Sequence, residues 1–320
     1  MVGVVSNFIE NLGKNIERYP ALAYLFSLSF FLCFPVVHTA KFQVEDGTAF
    51  LQQEQLFGGE LILLKSSSSS YFLNHKEFSK IQGSNLEMAV VSVYSPNPIY
   101  ISQTESSYPD WRESLRSYFR PKTLAWKRQR FTIQREELNE AKRLRLPSAV
   151  KEKLGSVEDL KKQQERKITK EVLGRVNGMV DSFCYQLPVN SKRVSPYGRA
   201  RRLASGKTYY HTGLDLRAWL GTPIYSMGPG EVAYNGFMTS PGNNVMLDHG
   251  GGLFSRYMHF SKFGEITAGK RIPANYQIGN SGSTGRSQAA HLHFEIIWKG
   301  NHAAPEKFIN KWRDRVCNKN

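Results

Sequence analysis

Cysteine is scarce in this chain, which has 3 Cys among 320 residues. That number excludes a disulfide-dense scaffold and a zinc cluster built from cysteine alone. Acidic residues are also few, with 27 Asp and Glu against 43 Lys and Arg, so the formal net charge is +16. Such a charge favours a polyanionic partner, whether nucleic acid, anionic lipid or an acidic cell-wall polymer, without choosing among them. With 40% hydrophobic and 22% charged residues, the composition excludes wholesale disorder.

Aromatic residues are absent from residues 134–176, where charged residues are frequent. Across residues 120–175 there are 17 Lys and Arg against 8 Asp and Glu. A thin apolar stripe at helical spacing predicts a solvated helix that packs through the stripe, formed by Val157, Leu160, Ile168, Val172 and Val176. The alternative is a basic arm that binds an anionic polymer. Because stacking on bases needs aromatic side chains, we expect no nucleic-acid partner.

One long uncharged run, Ala21–Val37, lies near the N-terminus and follows Lys14 and Arg18. As a helix it would be roughly 25 Å long, at the short edge of a membrane span. Cleavage by a signal peptidase needs small residues, whereas a bulky His38 follows the run. Residues 1–40 are therefore predicted to be an uncleaved anchor or a cleaved signal, with a buried core helix as the remaining alternative. Either of the first two takes the following residues out of the cytosol.

Three further regions differ in pattern. Residues 41–133 contain short β-branched runs and are predicted to form a small β-rich domain, with a brief helix after Pro109-Asp110. Residues 134–180 are predicted to be a charged helical linker. Residues 181–320 alternate short strands with Gly, Asn and Pro turns, which predicts an antiparallel β domain. The predicted fold class is therefore mainly β.

Cys184 and Cys317 lie near the two ends of this last domain. Domain termini are often close in space, and an exported domain can keep a disulfide. A Cys184–Cys317 bond is therefore expected, with two unpaired buried thiols as the alternative.

Candidate metal ligands lie in two short motifs of the last domain. His211 and Asp215 are four residues apart, and Gly213 between them argues against a helix, so an extended chain would place both on one side. His291 and His293 open the run HLHFEII, where a strand would place both imidazoles on one face. Imidazole nitrogens and a carboxylate oxygen suit zinc, whose catalytic sites take three protein ligands.

His259, at the end of the run SRYMH, makes a fifth candidate, and five groups exceed by two what zinc needs. A surplus pair is what hydrolysis requires, because a proton must be taken from water and an oxyanion must be stabilised. His249 is expected to be a turn residue, and no direct role is expected for His302.

Residues 187–312 resemble the lysostaphin-type (LytM-domain) zinc metallopeptidases, which cut peptide cross-links in bacterial peptidoglycan. The resemblance rests on the runs RVSPYGR, HTGLDLRAWLGTPIYSMGPGEV, GNNVMLDHG, YMH and GNSGSTGRSQAAHLHFE. It implies an antiparallel β catalytic domain of LytM type with one Zn²⁺ bound by His211, Asp215 and His293. It also implies two catalytic histidines, His259 and His291, whose division of roles stays open.

The function implied is a zinc-dependent endopeptidase that hydrolyses cross-links or stem peptides of peptidoglycan with metal-activated water. The alternative is a non-catalytic LytM-like regulator that activates cell-wall amidases, which intact ligand positions disfavour. Residues 287–290 make the loop before His291 longer than expected, which leaves substrate preference open. An exported envelope protein is expected, on the periplasmic side of the cytoplasmic membrane, anchored by residues 21–37 or released after signal cleavage. The N-terminal region carries no chemistry of its own and is expected to cover the site in part, as an autoinhibitory segment.

Overall fold

The computed structural model describes residues 51, 53–67, 70–104, 127–138, 141–143, 158–203 and 206–318. The predicted anchor or signal at residues 1–40 lies outside these ranges, as does the helix expected after Pro109-Asp110. None of the helices within the described ranges is long and apolar enough to span a bilayer. All described residues belong to one unit, Phe42–Asn320.

The first half of the described chain is built of strands. They are β1 (Gln55–Phe57), β2 (Leu61–Lys65), β3 (Ser70–Leu73), β4 (Lys76–Glu77), β5 (Ser79–Lys80), β6 (Leu86–Val90), β7 (Ile99–Thr104), β8 (Lys127–Gln134) and β9 (Lys142–Arg143). A five-stranded sheet has the order β1-β8-β7-β3-β4, and β2-β6-β5 form a three-stranded sheet. The β-branched and aliphatic residues of β2 and β6 form these strands because they pack well on a pleated, buried surface.

Helix α1 (Glu158–Leu173) leads into the second half. The strands that follow are β10 (Arg193–Ser195), β11 (Ala200–Arg202), β12 (Thr208–Tyr210), β13 (Leu214–Arg217), β14 (Pro223–Tyr225), β15 (Gly230–Met238), β16 (Gly242–Asp248), β17 (Leu253–Phe260), β18 (Lys262–Phe263), β19 (Arg271–Ile272), β20 (Gln277–Asn280), β21 (His291–Trp298) and β22 (Asn301–Ala303). Helix α2 (Pro305–Trp312) and a π-helical turn, Arg313–Cys317, complete the described chain. The mainly β, antiparallel fold confirms the predicted class.

An eight-stranded sheet of the second half positions the site. Its order is β10-β13-β21-β17-β16-β15-β19, and β22 pairs with β21. Antiparallel β13 and β21 align Asp215 with His293 and Arg217 with His291. Because alternate residues of a strand face the same side, all four side chains belong to one face. Leu214 and Leu216 face the opposite side and are fully buried in the core.

The two halves of the described chain share one hydrophobic core. Leu56, Ile62 and Val90 from the first half belong to the same buried cluster as Trp298 and Phe308 from the second. The indole nitrogen of Trp298 donates to Ser79 Oγ at 2.8 Å, which satisfies the polar atom of this buried ring. The division into domains at 133/134 and 180/181 stays a prediction.

Helix α1 lies in the predicted linker, but only the C-terminal end of the apolar stripe packs, where Val172 joins a buried cluster with Met238 and Phe254. Val172 is buried, whereas Leu160 is 73% exposed and Ile168 is 39% exposed. Polar contacts hold the middle of the helix, where Glu165 Oε1 accepts hydrogen bonds of 2.8 Å from both N and Oγ1 of Thr239. The stripe was a poor guide because helical spacing alone does not show which face meets a neighbour.

The expected disulfide is present. Cys184 and Cys317 are bonded, with their Cα atoms 5.6 Å apart. Trp312 Nε1 donates to the carbonyl of Phe183 at 2.9 Å, which brings the end of α2 to the strandless segment that precedes β10. The beginning and end of the last domain are therefore joined both covalently and by a hydrogen bond.

Candidate metal centre and catalytic groove

Three side chains converge on one point between β13 and β21. His211 Nε2 lies 3.0 Å from Asp215 Oδ1 and 3.0 Å from His293 Nδ1. His293 Nδ1 lies 2.8 Å from the same carboxylate oxygen. All three residues are buried, with at most 9% of their surface exposed. The residues predicted as ligands are therefore brought together.

The ring nitrogens that face away from this point have hydrogen-bond partners that show where each imidazole carries its proton. His211 Nδ1 lies 2.7 Å from the carbonyl oxygen of Pro196, which can only accept, so Nδ1 carries the proton. His293 Nε2 lies 3.2 Å from Glu295 Oε1 and donates to that carboxylate. His211 Nε2 and His293 Nδ1 therefore direct lone pairs at each other, since such partners set the tautomer of metal-binding histidines.

Two facing lone pairs 3.0 Å apart need a cation between them. A proton on His293 Nδ1 can fill this role. Burial alone would lower the pKa of this ring, but its hydrogen bonds to Asp215 and Glu295 raise the pKa to about 9. Burial lowers the pKa of His211, and the neighbouring carboxylate of Asp215 opposes this effect. The two ring nitrogens and one carboxylate oxygen, all within 4.8 Å of one another, fit a zinc ion.

Asp215 is held as a carboxylate. Its Oδ1 faces the two histidines, while Oδ2 accepts a 2.9 Å hydrogen bond from Arg201. Burial alone would raise the pKa of Asp215, but its close contacts with His211 and His293 hold it well below its usual range. The Arg201 contact also orients the carboxyl group, because a guanidinium binds a carboxylate with defined geometry.

Glu295 orients His293 from behind. Its Oε1 accepts from Thr212 Oγ1 at 2.6 Å as well as from His293, and His302 Nε2 lies 3.8 Å away. Burial would raise the pKa of Glu295, but His302 and the hydrogen bond from His293 hold it well below its usual range. Neither Glu295 nor Arg201 was predicted from the sequence, although Glu295 lies two residues after His293 in the HLHFE run.

His259 faces the same region from β17. Its φ of +68° is rare for a residue with a side chain, and its N–H donates to the carbonyl of Pro241 at 2.9 Å. Nδ1 donates to the carbonyl of Thr284 at 2.8 Å, which leaves a lone pair on Nε2. Burial, reinforced by the nearby His291 and His293, lowers the pKa of His259 to about 3. The ring is therefore neutral near pH 7.

His291 lies beside His259, with ring centroids 4.8 Å apart. Its Nδ1 donates to the carbonyl of Ala289 at 2.8 Å, and its Nε2 lies 3.7 Å from Asp215 Oδ1. The two histidines are therefore each held at Nδ1 by a backbone carbonyl beside the three converging groups. The five residues predicted from the sequence form one cluster.

A cavity of about 890 Å³ opens onto this cluster. Tyr209 and Tyr210 line it, as do Ser240 and Pro241 on the turn after β15. Among the described residues before 184, Tyr94 alone lines it, and Tyr94 also donates a hydrogen bond to the carbonyl of Tyr210 at 3.3 Å. The cavity has a volume typical of ligand-binding sites.

His249 lies in the turn between β16 and β17, as the sequence predicts, but its side chain is buried. It is 3% exposed, its Nδ1 donates to the carbonyl of Pro229 at 2.6 Å, and its Nε2 lies 2.7 Å from Ser255 Oγ. The Tyr257 hydroxyl lies 2.9 Å from Ser255 Oγ and extends this network. His249 does not line the cavity, and its role is structural.

Residues 209–305 match Peptidase family M23. Peptidoglycan DD-endopeptidase ShyA of Vibrio cholerae is 37% identical over 116 residues, which cover 35% of this chain and 27% of ShyA. DD-carboxypeptidase/endopeptidase Mpg of Neisseria meningitidis is 33% identical over 132 residues, which cover 41% of this chain and 30% of Mpg. The chain thus spans less than a third of the length of these curated relatives.

A crystal structure of a candidate peptidase M23 from Pseudomonas aeruginosa has the same fold over a longer stretch. It covers 81% of this chain and 96% of its own, with a TM-score of 0.56 and 18% sequence identity. The matched residues 209–305 contain the five residues of the cluster. The similarity to Peptidase family M23 therefore extends over the whole cluster.

Proposed function

We propose that this protein is a zinc-dependent endopeptidase that hydrolyses peptide cross-links or stem peptides of bacterial peptidoglycan. The single observation that carries the proposal is the cluster itself, in which three converging ligand groups lie beside two histidines with free Nε2 atoms. The DD-endopeptidase activity named for the relatives supports the substrate class.

His211, Asp215 and His293 would hold the zinc ion through Nε2, Oδ1 and Nδ1. Zinc there would supply a Lewis acid that polarises the scissile carbonyl and makes water acidic near neutral pH. Arg201 and Glu295 keep the carboxylate and the ring of His293 in place. Such supporting partners typically change metal affinity or activity 10–100-fold when they are removed.

His259 and His291 would handle protons and the developing oxyanion. With Nδ1 bound to a backbone carbonyl, each ring can accept a proton from the attacking water at Nε2 or donate one to the substrate. Which ring takes which role stays open. Ser287 Oγ lies 3.2 Å from His291 Nδ1, but both groups donate to the carbonyl of Ala289. His291 Nδ1 therefore has no lone pair with which to activate this serine, and direct attack by water fits the site best.

Membrane attachment through residues 21–37 and partial cover of the site by the N-terminal region remain proposals. The contact of Tyr94 with the edge of the cavity motivates the second. If Tyr94 contributes to a cover, Tyr94→Ala should raise kcat/KM; an unchanged or lower value would count against it.

Digestion of purified peptidoglycan by the full chain tests the proposed activity. Fragments would be identified by mass spectrometry after chelation and again after zinc is restored. Cross-link cleavage should disappear with the chelator and return with zinc, and the fragments would identify the bond. His259→Ala should lower the rate at least ~100-fold, whereas His75→Ala, an exposed histidine outside the cavity, should leave it unchanged.

Cleavage that persists after chelation would contradict the proposed dependence on a metal ion. No cleavage after zinc is restored would favour the alternative function, a non-catalytic regulator that activates cell-wall amidases.

A further inference from the structure

Arginine is concentrated in the cavity wall. Five arginines line the cavity, whereas its only lining carboxylates among the described residues are Asp215 and Glu295. Both carboxylates are buried and hydrogen-bonded to the histidines of the cluster. The wall therefore presents positive charge that its own acids do not neutralise.

Two of the five arginines already have partners. Arg201 donates to Asp215 and Ser195, and the buried Arg256 donates to Asn244 Oδ1 at 3.2 Å. Arg199, Arg217 and Arg286 form no ion pair with any carboxylate in the described part of the chain. Arg199 also lines a second cavity, so Arg217 and Arg286 belong most closely to this groove.

The strand register places Arg217 beside the reacting groups. Arg217 pairs with His291 across β13 and β21, next to the Asp215–His293 pair. Residues 215 and 217 are two apart on one strand, so Arg217 is on the same sheet face as Asp215. It is exposed to solvent and lines the cavity. A substrate peptide positioned at His291 would therefore pass within reach of this guanidinium.

Arg286 approaches from the loop between β20 and β21. Its guanidinium lies 5.7 Å from the centre of the Tyr209 ring, which limits its freedom. Its backbone N–H donates to the carbonyl of Ser240 at 2.9 Å and fixes the loop to the turn after β15. A guanidinium held in this way is prepared for a planar, two-oxygen anion.

We propose that Arg217 and Arg286 are specificity-determining residues that bind a free carboxylate of the substrate peptide next to the scissile bond. Arginine matches a carboxylate with two parallel N–H···O bonds and stays charged at any working pH. The substrate class that follows is a peptide with free carboxyl groups flanking the cleaved bond, rather than a neutral bridge of glycines. The choice of a peptidoglycan peptide as ligand rests on the proposed function, but its binding can be measured whether or not the protein cleaves it.

Binding to the chelator-treated full chain tests the inference without catalysis. The probes are one synthetic stem-peptide dimer with free carboxyl groups and the same dimer with those groups converted to amides. The wild type should bind the free-carboxylate dimer about tenfold more tightly. Arg217→Gln and Arg286→Gln should each reduce this preference at least threefold, and binding of the amidated dimer should stay within twofold of the wild type.

Arg193→Gln is the matched control, because Arg193 pairs with Glu306 and does not line the cavity. It should retain the full preference. Equal affinity of the wild type for the two dimers would overturn the inference. Equal weakening of both dimers by Arg217→Gln would also overturn it, since that result indicates a structural role.

Cleavage of the two dimers by the zinc-loaded protein separates this inference from the proposed function. A binding preference without cleavage would support the arginine assignment and contradict the endopeptidase. With cleavage, Arg217→Gln should raise KM for the free-carboxylate dimer and leave kcat within about twofold.

Discussion

Gly213 allows the backbone between His211 and Asp215 to run directly against the ring of His293. A Cβ at this position would lie 2.6 Å from His293 Nε2 and 2.6 Å from the carbonyl oxygen of Phe294. Both distances are far inside van der Waals contact, so any side chain would displace the ring or β21. Close approach is the reason for glycine here.

Gly213→Ala should therefore weaken zinc binding at least tenfold, measured by competition with a chelating dye, and lower kcat/KM in parallel. Gly300→Ala is a suitable control, because its φ of +78° makes a side chain costly while nothing lies within 4 Å of the added atom. That variant should lose stability and keep its zinc affinity. Normal zinc affinity in Gly213→Ala would show that the ring can move freely.

His249 connects stability to pH. Burial lowers the pKa of this ring to about 4 in the folded chain, against about 6.5 in an unfolded one. The unfolded state therefore binds the proton more readily, so stability is greatest above pH ~6.5 and falls as the pH drops towards ~4. The loss from this residue is up to about 3 kcal/mol.

Urea unfolding of wild type and His249→Gln between pH 4 and pH 7.5 measures this effect. The variant should be less stable than the wild type at pH 7.5, and the difference between them should shrink as the pH falls. A difference that is constant across the range would contradict the assignment.

Among the elements, helix α1 acts on the groove from outside the family match, which begins at residue 209. Glu165 fixes Thr239, and the next two residues of that turn, Ser240 and Pro241, line the cavity. Pro241 accepts the N–H of His259 at 2.9 Å. The helix thus stabilises the turn that supports a catalytic candidate.

Glu165→Ala should lower the free energy of unfolding by about 1–2 kcal/mol, because it removes the acceptor of two hydrogen bonds. It should also lower kcat/KM several-fold while zinc content is unchanged. Glu171→Ala is the control, since Glu171 is exposed and lies 4.0 Å from Lys167. Equal kcat/KM in the two variants would show that the turn does not depend on the helix.

Local sequence patterns predicted which segments form strands better than they predicted how those elements pack together. Alternation and β-branching identified the strands β2, β6 and β7, and the two-residue spacing placed His291 and His293 on one face. The pairing of β13 with β21 brings Asp215 beside His293, and no local sequence pattern contains that strand register. Only the family resemblance predicted that these two residues act together. The docking of α1 through Glu165 was missed because a polar contact leaves no hydrophobic period.

In the whole molecule, a common core and the Cys184–Cys317 bond hold the sheet that carries the site. The supporting contacts of the cluster are spread over the chain: Pro196 and Arg201 precede β13, and Thr284 and Ala289 lie between β20 and β21. Each fixes one ring or one carboxylate oxygen. The assembled sheet, rather than any one motif, brings the three candidate ligands together and places His259 and His291 beside them.

The zinc content of three purified proteins, wild type, His211→Ala and His259→Ala, tests this division most directly. The account predicts one zinc per wild-type chain, close to none in His211→Ala, and one in His259→Ala, which should nevertheless fail to cleave peptidoglycan. Stoichiometric zinc in His211→Ala, or loss of zinc from His259→Ala, would contradict the separation of ligands from proton-transferring residues.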